Sequence, residues 1–161
     1  VFQIDIPAKS INLVFSAQKG LWFRVLEGRR QVMIFSSPFR SLLLNENLDL
    51  IAPDSDVESF VSPTFPGKCG SEGDRVLCFV PRLLDPIKNK LPDDYLSGKL
   101  FTADDLFQIN LSDDNANEVL GVEKNPLGAV DAKNVKVRGD KIYFINRYDN
   151  ALYELTLTNN E

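Results

Sequence analysis

The residues with the clearest capacity for chemistry lie between Pro92 and Phe107, in the run PDDYLSGKLFTADDLF. Asp93, Asp94, Asp104 and Asp105 form two adjacent pairs, with Tyr95 and Lys99 between them. Carboxylates in such a run can hold a hard cation such as calcium through oxygen. They can also divide the acid and base roles of glycoside hydrolysis. The spacing is not that of an EF-hand loop, which sets its acids at alternate positions. Asp is equally a turn residue whose side chain caps backbone amides, and for the carboxylates that plain reading is favoured on residue type alone. As a site, the stretch is a candidate binding loop of Asp93, Asp94, Tyr95, Lys99, Asp104 and Asp105. No catalytic or metal-ligating residue is assigned.

The rest of the sequence narrows the chemistry further. There is no His, which removes the commonest general base and the commonest transition-metal ligand. Ser36, Ser37 and Ser97 stand in no nucleophile-elbow pattern. Gly-rich phosphate loops are absent. The formal net charge is −5, with Lys and Arg mostly scattered, so neither a nucleic-acid surface nor a polybasic membrane patch is visible. No apolar run approaches the length of a membrane span. Asp113-Asp114-Asn115 with Glu118 reads as a solvated turn. Asn110-Leu111-Ser112 fits a glycosylation acceptor but lies on an expected strand. Arg138-Gly139-Asp140 spells an adhesion tripeptide at a hairpin tip. Gly-Asp also occurs at 73–74 after Glu72, so turn chemistry accounts for the pair without a receptor.

Cys69 and Cys78 flank the turn Gly73-Asp74. If those two residues form the loop, Glu72 pairs with Arg75, Ser71 with Val76, Gly70 with Leu77, and Cys69 faces Cys78. That is a non-hydrogen-bonded position with Cα atoms about 4.5 Å apart, at the short end of the range of about 4.4–6.8 Å that a disulfide spans. The pairing favours a cross-strand disulfide in an oxidising compartment. The alternative is two buried thiols packed as small hydrophobes. Two Cys without His cannot complete a structural zinc site.

The elements that must position these residues are strands. In Arg138–Leu157, Gly139-Asp140 is a tight turn, Lys141–Asn146 a strand, Arg147–Asn150 a second turn and Ala151–Leu157 a further strand. Leu152, Glu154 and Thr156 alternate with Tyr153, Leu155 and Leu157, the period of a strand with one buried face. The pattern recurs upstream: 73–80 corresponds to 139–146, and 106–111 to 152–157. The two offsets, 66 and 46 residues, give the earlier unit 20 extra residues between its strands, within 81–103. Pro81, Pro86 and Pro92 argue against a regular inner strand there. Residues 112–129 read as a polar connector with room for one short strand.

A further unit spans INLVF, LWFRVL and RQVMIF, with SLLLNENLDLIA as an outer strand; Trp22 and Phe23 take the place of Tyr143 and Phe144. The chain thus divides into units at about 11–52, 59–111 (insertion 81–103) and 130–157 within one all-β domain, 1–161. Antiparallel four-stranded meanders at a period of roughly 45 residues are the signature of propeller blades. Three blades make only a partial β-propeller, since closure needs about four to eight. An irregular β-sandwich is the alternative. The repeat aromatics read as blade core rather than as a ligand platform.

KCGSEGDRVLCFVP (68–81), PDDYLSGKLFTADDLFQINL (92–111) and DAKNVKVRGDKIYFINRYDNALYELTL (131–157) together resemble a group of uncharacterised, membrane-anchored, propeller-like (WD-repeat-like or Tol-type) proteins of candidate-phylum bacteria. In that group a Lys-Cys and a Cys-x-x-Pro segment bracket a hairpin, a Pro-Asp-Asp-aromatic segment leads to an Asp-rich strand, and Asp-Ala-x-Asn opens the final blade. Tyr95 and Phe107 stand here where Trp is expected, and residues 1–60 fit only loosely. The resemblance implies an extracytoplasmic propeller at the cell envelope whose remaining blades lie N-terminal to Val1. It carries no activity, cofactor or partner.

The functional expectation is a non-enzymatic interaction module that binds a protein or surface polymer through its blade loops. The alternative is a carboxylate-based hydrolase, or the propeller gate of an enzyme, using the Asp-rich loop 92–107. No cofactor is expected, apart from the calcium option at that loop. The run VFQIDI at the N-terminal edge is expected to pair with the remaining blades or with another copy of the chain.

Overall fold

The computed structural model describes residues 2–13, 20–26, 31–36, 40–44, 64–82, 84–85, 88–110, 115–120 and 128–157. Among them are β1 (Phe2–Asp5), β2 (Ser10–Leu13), β3 (Trp22–Leu26), β4 (Gln31–Ser36), β5 (Arg40–Leu44), β6 (Cys69–Glu72), β7 (Arg75–Pro81), β8 (Asp104–Asn110), β9 (Asn115–Leu120), β10 (Ala132–Arg138), β11 (Lys141–Asn146) and β12 (Leu152–Thr156). A 3-10 turn at Pro66–Lys68 and one short helix, α1 (Asp93–Leu96), complete the described elements. None of these helices is long and apolar enough to cross a membrane.

Every strand pair is antiparallel. The pairs form sheets β1-β2, β3-β4-β5, β6-β7-β8-β9 and β10-β11-β12. The all-β antiparallel class therefore holds. The expectation of four strands in every unit does not: among the described residues only the central sheet has four, and the sheets do not close. Its fourth strand, β9, is the one short strand for which the connector 112–129 left room, and it takes Asn115 and Glu118, expected in a solvated turn, into a ladder. The segment 11–13 leaves the first unit: it is part of β2, Ser10–Leu13, which pairs with Phe2–Asp5 in a separate hairpin, so Phe2–Asp5 has one neighbouring strand from its own chain. Trp22 and Phe23 sit on the first strand of their sheet, whereas Tyr143 and Phe144 sit on a middle strand; counted from the pair that closes each hairpin, Met33 and Ile34 on β4 hold the corresponding place. Residues 41–44 of the expected outer strand SLLLNENLDLIA lie on β5, at the edge of the first sheet; the rest of that strand, the start of the second unit, Leu83, Pro86 and Asp113-Asp114 lie outside the described residues.

Alternation sorts each strand's side chains between the two faces of its sheet. Leu77, Phe79 and Leu106 on one face of the central sheet bury against Val135, Val137, Ile142 and Phe144 of the third, with Tyr153, Leu155 and Leu157 packed alongside. On the opposite face Cys69, Val76, Cys78 and Val80 bury against Leu26 and Met33 of the first. The central sheet is thus covered on both faces by its neighbours. Each fully buried Leu, Ile or Phe here contributes about 1.5–3 kcal/mol relative to exposure.

Backbone contacts lock the stack. A Cβ on Gly70 of β6 would sit 3.0 Å from the Val135 carbonyl oxygen and 3.1 Å from Val137 Cγ2, so a side chain there would require β10 to give way slightly, and glycine lets β6 approach β10 without that shift. Arg24 of β3 donates to the carbonyls of Gly67 (3.2 Å) and Val135 (3.0 Å), tying the first sheet to the 3-10 turn that precedes β6 and to the third sheet. The hairpin tips, with Gly73 at φ +59° and Gly139 at φ +60°, hold each other. The Glu72 carboxylate accepts the Gly139 amide, and the Arg75 guanidinium donates to the Gly139 carbonyl. The Arg-Gly-Asp turn is thereby part of the contact between sheets.

Candidate functional site

The register of the Cys69–Cys78 hairpin matches the expectation pair by pair: Cys69 opposite Cys78, Gly70 opposite Leu77, Ser71 opposite Val76, Glu72 opposite Arg75. The two cysteines are bonded, with Cα atoms 4.2 Å apart. The insertion falls between β7 and β8, whose residues pair across its mouth at Pro81 and Asp104.

The insertion brings together side chains that are distant in sequence. The 3-10 turn closes with the Lys68 amide donating to the Phe65 carbonyl (2.8 Å), which fixes Lys68 immediately before β6. The Lys68 ammonium, fully buried, donates to Thr102 Oγ1 (2.9 Å), to Asp131 Oδ1 (2.6 Å) and to Asp104 Oδ2. The Thr102 hydroxyl donates onward to Asp104 Oδ1 (2.7 Å), and the Ala132 amide donates to Asp104 Oδ2 (2.9 Å). Asp131 Oδ2 accepts the Thr102 amide (3.1 Å) and Arg147 Nη1 (3.0 Å). The second Arg147 nitrogen, Nη2, donates to the Tyr95 carbonyl (2.8 Å). The Tyr95 hydroxyl lies 3.4 Å from Asp131 Oδ1 and 3.3 Å from the Ala132 carbonyl.

Two cations and two carboxylates balance in this knot, which is what permits its burial. Its members sit where β6, β8 and β10 begin and β11 ends, so it lies at one end of the second and third sheets. Backbone bonds close the same end: the Asp104 amide donates to Val130 (2.9 Å) and the Arg147 amide to Asp131 (2.8 Å).

Electrostatics follow from the geometry. Burial pulls the Lys68 ammonium down, but Asp104, Tyr95 and Asp131 outweigh it and hold the group above the ordinary lysine value. Burial pushes the Asp104 carboxyl up, and Lys68, Thr102 and Ala132 only partly offset it. Burial likewise raises the Tyr95 hydroxyl, which stays protonated and able to donate.

Aromatic rings carry the knot outward in two directions. Toward the first sheet, Tyr95 stacks on Phe65 (centroids 4.1 Å apart), and Phe65 meets Phe35 (5.1 Å) and Trp22 (5.8 Å). Toward solvent, the Arg147 guanidinium lies 3.9 Å from the Tyr95 ring centre and 4.9 Å from that of Phe101, which stacks on Tyr148 at 5.4 Å.

The sequence-derived candidates therefore separate. Asp104 and Tyr95 enter the knot and are buried; Asp105 is buried with its carboxylate 3.6 Å from Arg82. The Asp94 carboxylate accepts the Lys90 amide (2.7 Å) of its own loop. Asp93 and Lys99 are exposed on the insertion. Among the described residues no group of three or more His, Cys, Asp or Glu is arranged to hold a metal ion. Lys68, Thr102, Asp131 and Arg147 were not among the sequence-derived site candidates; Lys68 and Asp131 stood out only as the first residues of the Lys-Cys and Asp-Ala-x-Asn segments, and Asp104 and Asp131 each follow an apolar residue at the start of a strand.

Chemically, a lysine, two carboxylates and a tyrosine could exchange protons, but Lys68, Asp104 and Asp131 have fully buried side chains. A narrow crevice lies elsewhere, between β3, β6 and β10, lined by Arg24, Leu26, Gly70, Val135 and Lys136, with room for about one water. No protein-family model matches the chain, and no curated protein or solved structure shows significant similarity to it.

Proposed function

We propose that the chain is a non-enzymatic interaction module that uses the insertion between β7 and β8 as its contact surface. The observation that carries this reading is the two-sided build of the insertion. Its inner side, Leu91, Tyr95 and Thr102, is buried in the core and the knot, while Asp93, Leu96, Ser97, Lys99 and Phe101 face solvent. Leu96 is 58% exposed although the loop is held on both flanks. A rigid scaffold carrying one long irregular loop is where recognition residues concentrate. Three stacked antiparallel sheets support reading the units as blades of a propeller completed by further blades or by another copy. The bonded cysteines support an extracytoplasmic, cell-envelope location. The carboxylate-hydrolase alternative draws less support, because Asp94 caps its own loop and Asp104 is neutralised inside the protein.

Excising the loop would remove Tyr95 and Leu91 from the core, so surface substitutions make the cleaner test. Leu96→Asp with Lys99→Glu should abolish co-sedimentation with cell-envelope preparations. The melting temperature should change little, since exposed substitutions are usually worth within about 0.5 kcal/mol. Undiminished sedimentation of this variant would overturn the loop assignment.

A further inference from the structure

We infer that Phe101 and Tyr148 form a stacking platform for the apolar face of a neutral sugar ring, so that the module binds an uncharged surface polysaccharide. The inference rests on the insertion being the contact surface and names the partner class. Phe101 is 45% exposed and Tyr148 50%. Single exposed apolar residues are ordinary, but these two rings are held as a unit. Their centroids are 5.4 Å apart and their planes 25° apart. The Tyr148 hydroxyl donates inward to the Thr102 carbonyl (3.2 Å). Arg147, which touches Phe101, is itself fixed by Asp131 and the Tyr95 carbonyl. Little conformational freedom is left to lose on binding.

The chemistry of the occupant follows from what the platform offers. The hydroxyl of Tyr148 is committed to Thr102, so the outward offer is aromatic surface, which takes a flat face of C–H groups. A nucleobase fits such a face, but its phosphates meet a chain of net charge −5 with no basic cluster. A proline-rich peptide docks along grooves lined by aromatics in series, and the described residues place one stacked pair here. A pyranose ring presents an apolar face and a rim of hydroxyls. On the turn that carries Tyr148, Asp149 accepts from the Tyr153 hydroxyl (2.6 Å) and the Ala151 amide (2.9 Å) and Asn150 Oδ1 from Lys133 (3.2 Å), so the exposed Asn150 side-chain amide N–H groups are what this turn offers to that rim. A neutral glycan also brings no charge for the acidic chain to repel.

The test is native affinity electrophoresis of the full chain through gels containing hydroxyethyl cellulose, laminarin or dextran, with sedimentation against purified peptidoglycan sacculi alongside. At least one glycan should bind the wild type. Tyr148→Ala should weaken that binding about tenfold, the scale of one lost aromatic contact. Tyr148→Phe keeps the ring and should stay within about twofold. Melting curves identify any variant that fails to fold, and Phe101→Leu then serves as the second probe. Absence of binding to all four materials, or binding unchanged by both Tyr148→Ala and Phe101→Leu, overturns the inference. If the envelope sedimentation lost in the Leu96/Lys99 variant persists in Tyr148→Ala, the interaction reading stands and the glycan assignment falls; a protein partner is then the outcome.

Discussion

Replacing Lys68 by Met tests whether the buried knot holds the second and third sheets and the insertion together. The substitution keeps the length of the side chain and removes an ammonium that donates to Thr102, Asp104 and Asp131. Two buried carboxylates would remain, with Arg147 as the one cation bonded to either, through Asp131. Removing one partner from a buried pair costs about 3–5 kcal/mol, because the charge left behind has neither water nor a counterion. A chain of this size loses roughly 2–4 °C of Tm per kcal/mol, so a fall on the order of 10 °C is expected. Chemical denaturation provides the assay, run with Asp104→Asn and the double variant to complete a cycle. Asp104→Asn removes the stranded charge, so the double variant should recover part of the loss, with a coupling of about 1–3 kcal/mol. The pH dependence supplies a second readout. The folded state holds Lys68 above the ordinary lysine value, so its contribution is complete below that value and is lost as pH rises through the folded one. That alkaline loss should vanish in Lys68→Met. A cost under about 1 kcal/mol, within the range of an exposed ion pair, would refute the reasoning.

Cys69→Ser with Cys78→Ser should lower stability by at most about 2–3 kcal/mol, given the short loop the bond closes; the unsubstituted chain should show no titratable thiol under denaturing conditions until reductant is added. Gly70→Ala forces a methyl against the Val135 carbonyl and Val137 and should cost about 1–3 kcal/mol by urea denaturation. A cost near zero would show that β6 and β10 can separate freely. Hydrogen bonds from Tyr153 and from Lys141 hold the exposed Asp149 and Glu154 carboxyls below their ordinary values. Their contributions are therefore present above the ordinary carboxylate values and lost as pH falls through the folded ones. Lys141→Met should return the Glu154 titration, followed by NMR, toward its ordinary position.

The local hairpins were legible before any coordinates. Gly73-Asp74 and Gly139-Asp140 close two-residue turns, and a period of two then dictates which residues face each other, so the Cys69–Cys78 pairing followed without knowledge of the rest of the fold. The insertion was readable because the flanking strands 73–80 and 106–111 repeat at 139–146 and 152–157 with unequal offsets. The third unit's alternation likewise placed Tyr153, Leu155 and Leu157 toward the core. The first unit was harder. LWFRVL and RQVMIF are both apolar and aromatic, and only strand pairing shows that the second is the middle strand, and that Ser10–Leu13 turns back on Phe2–Asp5 instead. The knot lay beyond reach of the sequence for a plainer reason. Lys68 meets partners 34, 36 and 63 residues away, and a lone lysine before a strand reads as a solvated charge. Residue type told which groups could ionise. Whether Asp104 would meet water, a cation or a partner depended on which strand ends the sheet stack brought together, and packing between distant segments, not local pattern, sets that.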